Sequence, residues 1–333
     1  MSETWTEELG EPLAALLEVP SVKVERAELI PGGASKDTCL VDAVTPEGEL
    51  ELLVRRAAGG VIYSETLSLE QECKVLQVAY EAGIKAPRPY GYIEDLAGRE
   101  AFVMERLEGE SVGRRVVQKP EFETTREALP KQLAEELSKI HAIPLEQLPS
   151  LPGARTEPVA DHVLSTLERE LDALEEPHPA IELGLSWLRE YVPDSHGIVL
   201  DHGDFRVGNF MVDEEEGLVG ILDWEFAHLG DPAEDLAWPL VRAWRFGVDH
   251  LRLGGIGEVE PYLEHYNTLT NRQVTLEELF YWEVAGNVRW AIGSLNQAKR
   301  HLSGQERSVE LAVIGRLASE VEYEILSLLE RGS

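Results

Sequence analysis

Asp204, Asn209 and Asp223 are the residues whose types and spacing could do chemistry in this chain. They lie in Leu200-Asp-His-Gly-Asp-Phe-Arg-Val-Gly-Asn-Phe210 and in Ile221-Leu-Asp-Trp-Glu225. Phe210 to Val212 and Leu218 to Leu222 read as two apolar strands, and the polar run from Asp213 to Gly217 reads as the turn joining them. Antiparallel pairing should set Asn209, just before the first strand, beside Asp223, just after the second, at about 5 Å. Asp204 lies on the loop entering the same open end. Three oxygen-bearing side chains meeting there suit magnesium, a hard cation that shares its shell with substrate phosphates. The implied chemistry is phosphoryl transfer, which asks a protein for positioning and charge stabilisation more than for covalent intermediates.

His202-Gly203-Asp204, Asn209 five positions beyond the Asp, Asp223 within Leu-Asp-Trp-Glu, and Ala227-His-Leu-Gly-Asp-Pro-Ala-Glu-Asp-Leu-Ala237 follow one another in order. Together they resemble the aminoglycoside phosphotransferase-like kinases, a superfamily that includes choline and homoserine kinases. The resemblance implies an α+β, bilobal protein-kinase-like fold, with a small antiparallel β N-lobe carrying one helix and a larger, mostly helical C-lobe. It implies Asp204 as the catalytic base and Asn209 and Asp223 as magnesium ligands. ATP or GTP would be the donor, and a small-molecule hydroxyl the acceptor. Nothing after Asp223 reads as the activation segment of a protein kinase, and HGD stands where those enzymes carry HRD.

Other residues fit the same chemistry. In Pro31-Gly-Gly-Ala-Ser35, Gly32 and Gly33 would let backbone amides approach phosphate, with Ser35 beside them. Arg55 ends Leu52-Leu-Val-Arg55, where this fold normally offers lysine to the nucleotide phosphates. Arginine keeps the charge and adds a bidentate fork, and Arg56 is a rival for the role. Glu72 matches the helix glutamate that pairs with that basic residue. Glu105 to Leu107 would offer backbone groups to the nucleobase. Glu225 is open between metal shell and structural ion pair, whereas His202 is expected to brace its loop. Asp231-Pro232-Ala233-Glu234 reads as a helix start. His141 reads as a structural cap. Trp238, Trp244, Trp282 and Trp290 read as core, with one or two free to line a pocket.

These residues need elements to hold them. Residues 9–19 read as a helix, and Val22 to Ile30, Thr38 to Val44 and Glu49 to Arg55 as strands joined by Gly-containing turns. Leu67 to Ala82 has helical spacing, ended by Gly83 and Ala86-Pro-Arg-Pro89. Tyr90 to Ile93 and Ala101 to Met104 complete the sheet. The polar passage Glu105-Arg-Leu-Glu-Gly109 marks the boundary between an N-lobe, residues 1–107, and a C-lobe, residues 108–333. Helices are expected near 125–142, 158–174, 180–191, 232–246, 258–267, 276–301 and 307–331.

A chain of 333 residues exceeds one ordinary core, and 43% hydrophobic content suffices for two. The 30 basic and 62 acidic residues give a net charge of −32, which argues against nucleic acid or anionic membrane as partners. Cys39 and Cys73 have neither disulfide-framework nor metal-ligand spacing. No signal peptide or membrane-spanning run is read, so a cytoplasmic location is expected. The motifs also resemble the kinase part of acyl-CoA dehydrogenase fusion proteins, which sets hydroxyacyl-CoA beside aminoglycoside-like acceptors. A CoA ester would need a basic patch, from Arg114, Arg115 and Lys119 or from Lys299 and Arg300. A non-catalytic nucleotide-binding module is the main alternative; a metal-dependent hydrolase would leave Arg55 and Glu72 unexplained.

Overall fold

The computed structural model describes residues 4–30, 36–57, 65–156, 158–306 and 308–332. The fold is bilobal and kinase-like. A short helix α1 (Gly10–Leu16) precedes strands β1 (Lys23–Ile30), β2 (Lys36–Thr45) and β3 (Gly48–Ala57), then helix α2 (Leu69–Glu81) and strands β4 (Pro89–Leu96) and β5 (Arg99–Glu105). The five strands form one antiparallel sheet in the order β1-β2-β3-β5-β4.

Side chains alternate across a strand, and that decides which arginine reaches the site. Cys39, Val41, Leu52, Val54 and Val103 face one side and pack with Trp5, Leu9 and Leu13 of the N-terminal segment. Arg56 belongs to this face. Its guanidinium donates to the Leu96 and Ala97 carbonyls and lies 5.1 Å from the Trp5 ring centroid. Arg55, one residue earlier, points into the cleft on the opposite side, where α2 packs.

Ser68 begins α2 with a reciprocal cap: its hydroxyl accepts from the Gln71 amide at 3.2 Å, and the Gln71 side chain accepts from the Ser68 amide at 3.0 Å. The helix presents Leu69, Cys73 and Leu76 to the core and carries Glu72, 1% exposed, toward the sheet.

The C-lobe runs through α3 (Gly113–Gln118), α4 (Glu123–Ile140), α5 (Val159–Asp172) and α6 (Pro179–Glu190). Short strands β6 (Val199–Asp201), β7 (Phe210–Asp213), β8 (Gly217–Ile221) and β9 (His228–Gly230) follow, then α7 (Pro232–Ala237), α8 (Val259–Thr270), α9 (Leu276–Leu302), α10 (Val309–Arg316) and α11 (Ala318–Arg331). The long α9 is capped by Thr275 and Glu278 and ends in Lys299, Arg300 and His301, which suit its negative pole.

Two helical expectations need correction. The helix expected over 232–246 stops at Ala237 and passes into 3-10 turns at Trp238–Leu240 and Arg242–Arg245. Pro239 has no amide to give an α-helical bond there. The helix expected over 307–331 breaks at Leu317 into α10 and α11. Both pieces lie against α9, and Gly315 lets α10 approach so closely that a Cβ on it would stand 2.4 Å from that of Ala298. Strands β6 and β9, of three residues each, and helix α3 had no counterpart in the pattern.

Candidate active site

The loop bearing Asp204 leaves β6, which pairs with β9 through Leu200 and Leu229. Buried Asp235 of α7 holds it, accepting from the amides of His202 at 2.6 Å and Gly203 at 3.0 Å. Only glycine fits at 203: φ is +77°, and a Cβ would lie 2.2 Å from the Phe226 carbonyl oxygen. Burial lowers the His202 pKa, keeping the ring neutral. Its Nε2–H donates to the Leu222 carbonyl at 3.0 Å, and its Nδ1 accepts from the Asp204 amide at 3.2 Å. His202 thus ties the Asp204 loop to the hairpin end, as a brace. His141 caps α4, 2.7 Å from the Tyr266 hydroxyl and 3.5 Å from Asp235. Asp231 caps α7 through the Ala233 amide at 2.9 Å.

The Asp204 carboxylate accepts three bonds. Arg206 Nε at 2.9 Å and Trp238 Nε1 at 2.7 Å donate to Oδ1, and Asn209 Nδ2 at 2.6 Å to Oδ2. Asn209 Nδ2 also donates to the Asp204 main-chain oxygen at 3.0 Å. The amide nitrogen is therefore spent on Asp204, which leaves Asn209 Oδ1 outside these bonds.

Strands β7 and β8 pair in the register Phe210 with Ile221. The residue opposite Asn209 is therefore Leu222, whose amide donates to the Asn209 carbonyl at 2.8 Å, and not Asp223 as the spacing suggested. Asp223 is one position further and has a left-handed backbone, φ 65°, which re-aims its side chain. Its Oδ1 accepts from Arg55 Nη1 at 2.8 Å. Burial would push the Asp223 carboxyl up, but Arg55 and Lys36 outweigh it and hold it down at about 2. An ionised carboxylate and an amide oxygen are the donor types magnesium takes, so the two side chains fit that ion.

Arg55 Nη1 also donates to Glu72 Oε1 at 2.6 Å. Glu72 is shared: its other oxygen meets the ammonium of Lys36, which in turn lies 2.8 Å from Glu225 Oε2. Burial alone would lower the Arg55 pKa, but the carboxylates of Asp223, Glu72 and Glu225 outweigh it and raise it. Glu225 therefore sits in an ion pair. Its own pKa is raised, by burial first and by Asp223 second.

Two clefts meet at this network. One, of about 390 Å³, lies under the sheet between Leu40, Leu53, Phe102, Met104 and Leu107, and reaches Arg55, Asn209 and Asp223. Glu105 borders it, but its amide donates to the Arg88 carbonyl and that of Arg106 to the Glu51 carbonyl. That narrows the linker donor to Leu107. The other cleft, of about 240 Å³, begins at Lys36, Arg55, Asp204 and Asp223 and runs between Trp238, Trp244 and Trp290. Arg206 lies 4.3 Å from the Trp244 ring centroid, and Arg289 lies 4.8 Å from that of Trp238. Trp282 is core.

Gly32, Gly33 and Ser35 lie outside the described residues. The structure brings Asp204, Asn209, Asp223, Arg55 and Glu72 together, and sets Glu105 and Leu107 on the first cleft. Lys36, Arg206 and Asp235 were missed by sequence reasoning, whereas Trp238, Trp244 and Trp290, from the tryptophans expected as core with one or two free to line a pocket, line the second cleft. Asp235 had a signal, four residues beyond the cap residue Asp231; Lys36 and Arg206 meet the site only through folding. Arg115 pairs with Glu110 at 3.1 Å and Lys119 with Glu121 at 3.0 Å, while Arg300 donates to Gln297 at 2.9 Å and Lys299 to the Ala173 carbonyl at 2.6 Å. No helix among the described residues is long and apolar enough to cross a membrane.

The sequence model of the "Phosphotransferase enzyme family" matches residues 26–272. Acyl-CoA dehydrogenase family member 10 of Mus musculus is 26% identical over 292 residues, 81% of this chain and 26% of that protein. The chain thus spans about a quarter of that relative's length. Among solved structures, a Ralstonia eutropha protein provisionally named an aminoglycoside phosphotransferase superposes with a TM-score of 0.74 at 21% identity, covering 96% of this chain and 98% of that one. The GDP and kanamycin complex of the aminoglycoside phosphotransferase APH(2″)-IIIa superposes with a TM-score of 0.62 at 16% identity, covering 91% and 94%.

Proposed function

This chain belongs to the phosphotransferase enzyme family, and on that premise we propose that it transfers the γ-phosphoryl group of ATP or GTP to the hydroxyl of a small molecule. The observation that carries the reading is the position of Asp204, Asn209 and Asp223, at the border shared by an apolar cleft under the sheet and an indole-lined cleft in the helical lobe. The nucleobase would lie in the first, with the Glu105 carbonyl and the Leu107 amide as its backbone partners. The acceptor would enter the second.

Magnesium, held by Asn209 Oδ1 and Asp223, would neutralise charge on the phosphates. A carboxylate offers about four lone-pair positions, and the three donors on Asp204 leave one for the acceptor hydroxyl. Those donors fix the carboxylate's orientation. As the acceptor oxygen bonds to phosphorus, the bond to the bridging oxygen breaks and the nucleoside diphosphate leaves. The hydroxyl proton passes to Asp204. In a loose transition state that proton moves late, after most of the bond to the bridging oxygen has broken.

The acceptor cleft favours a hydroxyacyl-CoA or similar anionic acceptor over a cationic aminoglycoside. Its carboxylates, Asp204, Asp223 and Glu225, each already face an arginine or lysine of this chain. Arg206 and Arg289, stacked on indoles, add positive charge where a polyamine would need negative. The test is label transfer from γ-labelled ATP or GTP to a panel of hydroxyacyl-CoAs, amino sugars and simple alcohols. Labelled CoA ester is expected. Labelled amino sugar alone would overturn the acceptor class, and absence of nucleotide binding would overturn the kinase reading.

Arg55→Lys should weaken nucleotide binding roughly ten- to a hundredfold, the worth of one charge-assisted hydrogen bond. Nη1 alone makes the contacts to Glu72 and Asp223, so the rest of the fork can grip phosphate, which lysine cannot do in two places at once. Titration calorimetry reads the affinity. A double-mutant cycle with Glu72→Gln should show coupling well above error; equal binding by Arg55→Lys would make Arg55 a point charge only.

A further inference from the structure

Taking a lysine ammonium out of water is costly unless carboxylates surround it. Lys36, only 7% exposed, meets that condition by lying between Glu72 and Glu225. It opens β2, directly after the Gly32-Gly33 segment in sequence, and its register partner on β3 is Ala57, two residues beyond Arg55. Lys36 and Arg55 therefore stand on the same face of neighbouring strands. Together they answer three carboxylates, Glu72, Asp223 and Glu225.

The two cations do not occupy equivalent places. Arg55 borders both clefts, whereas Lys36 borders only the one that holds Asp204 and the indoles. Their carboxylate partners divide the same way: Glu72 borders the cleft under the sheet, and Glu225 the acceptor cleft. A triphosphate whose base lies under the sheet would pass Arg55 first and reach Lys36 with its terminal phosphoryl group, beside Asp204.

Resting on the kinase reading above, we infer that Lys36 is the residue that grips the transferring γ-phosphoryl group, and that Glu225 is a positioning residue that holds Lys36. Arg55 serves the inner phosphates. A lysine suits the outer place, because a point charge on a flexible stem serves any of three phosphoryl oxygens, whereas the guanidinium fork has a fixed geometry. Lys36 neither gives nor takes a proton in the transfer. The phosphorus–bridging-oxygen bond breaks and the acceptor-oxygen bond forms while the ammonium offsets charge on the oxygens between them.

The experiment compares nucleoside diphosphate with the non-hydrolysable β,γ-imido triphosphate by calorimetry, with magnesium present throughout. The proteins are wild type, Lys36→Met, Lys36→Arg and the double variant Lys36→Met/Glu225→Gln. The double variant removes the unmatched carboxylate that loss of Lys36 would leave buried, and thermal unfolding checks that it folds. Diphosphate affinity should hold, while triphosphate affinity falls roughly ten- to a hundredfold, the effect of one hydrogen bond to a charged group. Lys36→Arg should recover most of it. A double variant that folds and keeps the wild-type ratio of triphosphate to diphosphate affinity would overturn the assignment. Equal loss for both nucleotides would also overturn it, placing Lys36 on the inner phosphates. Wild type that binds neither nucleotide would instead remove the kinase reading on which the assignment rests.

Discussion

Asp204→Ala is expected to lower turnover by roughly 10²–10⁴-fold, the usual worth of a positioned acid–base group, while magnesium–nucleotide binding stays near that of wild type. Binding survives because Asn209 has a second anchor. Its amide nitrogen donates to the Asp204 main-chain oxygen at 3.0 Å as well as to the carboxylate, and alanine keeps the main chain. Arg206 and Trp238 lose a shared acceptor, and Trp238 Nε1 is buried with it. An unmatched buried donor costs about 1–3 kcal/mol, so the variant should also unfold at a lower temperature. Single-turnover rates with labelled nucleotide, set beside calorimetric binding, separate the two effects. A rate unchanged from wild type would remove Asp204 from the chemistry.

Asp223→Asn should strike at an earlier step, magnesium-dependent nucleotide binding. The loss should exceed the roughly 10–100-fold typical of removing a partner that merely orients a metal ligand, because the anionic ligand itself is gone. Arg55 also loses the negative charge of its 2.8 Å partner, though the amide oxygen can still accept. Asparagine is the informative replacement: it tolerates the left-handed backbone at φ 65°, so the charge changes with little new strain. Asn209→Ala should be milder, since water can replace a neutral oxygen. Magnesium titrations at fixed nucleotide give both values, and a wild-type magnesium dependence in both variants would place the ion elsewhere.

The clearest features in the sequence were those with local causes. The hairpin of β7 and β8 follows from two apolar runs around an acidic turn, and the cap at Asp231 from an Asp-Pro-Ala-Glu string. The sequence offered Arg55 with Arg56 as its rival, and left open which of the two adjacent arginines faced the cleft. That depended on where the N-terminal segment packs, with Trp5 claiming Arg56. The pairing of Asn209 was misjudged by one position because the strands end at Ile221, and Asp223 recovers its aim through its backbone. Lys36 was illegible for another reason. Its two carboxylates stand 36 and 189 residues away, and a lysine after a glycine-rich stretch ordinarily stays in solvent. The stacking of Arg206 and Arg289 on indoles likewise joins distant segments.

Positive charge is gathered on the walls of the acceptor cleft, at Lys36, Arg55, Arg206 and Arg289, within a chain of net charge −32. An anionic ligand approaching from afar meets the whole acidic surface before it meets these four side chains. Capture should therefore be slow in dilute buffer and quicken as salt rises toward about 0.1 M, where the screening length falls to about 10 Å and hides the surface more than the enclosed cations. Most proteins that bind anions show the reverse, association slowed by salt. Stopped-flow association of a fluorescent nucleotide across ionic strengths would show which sign holds, and an association rate falling steadily with salt would mean that the cleft's own field extends well beyond its mouth.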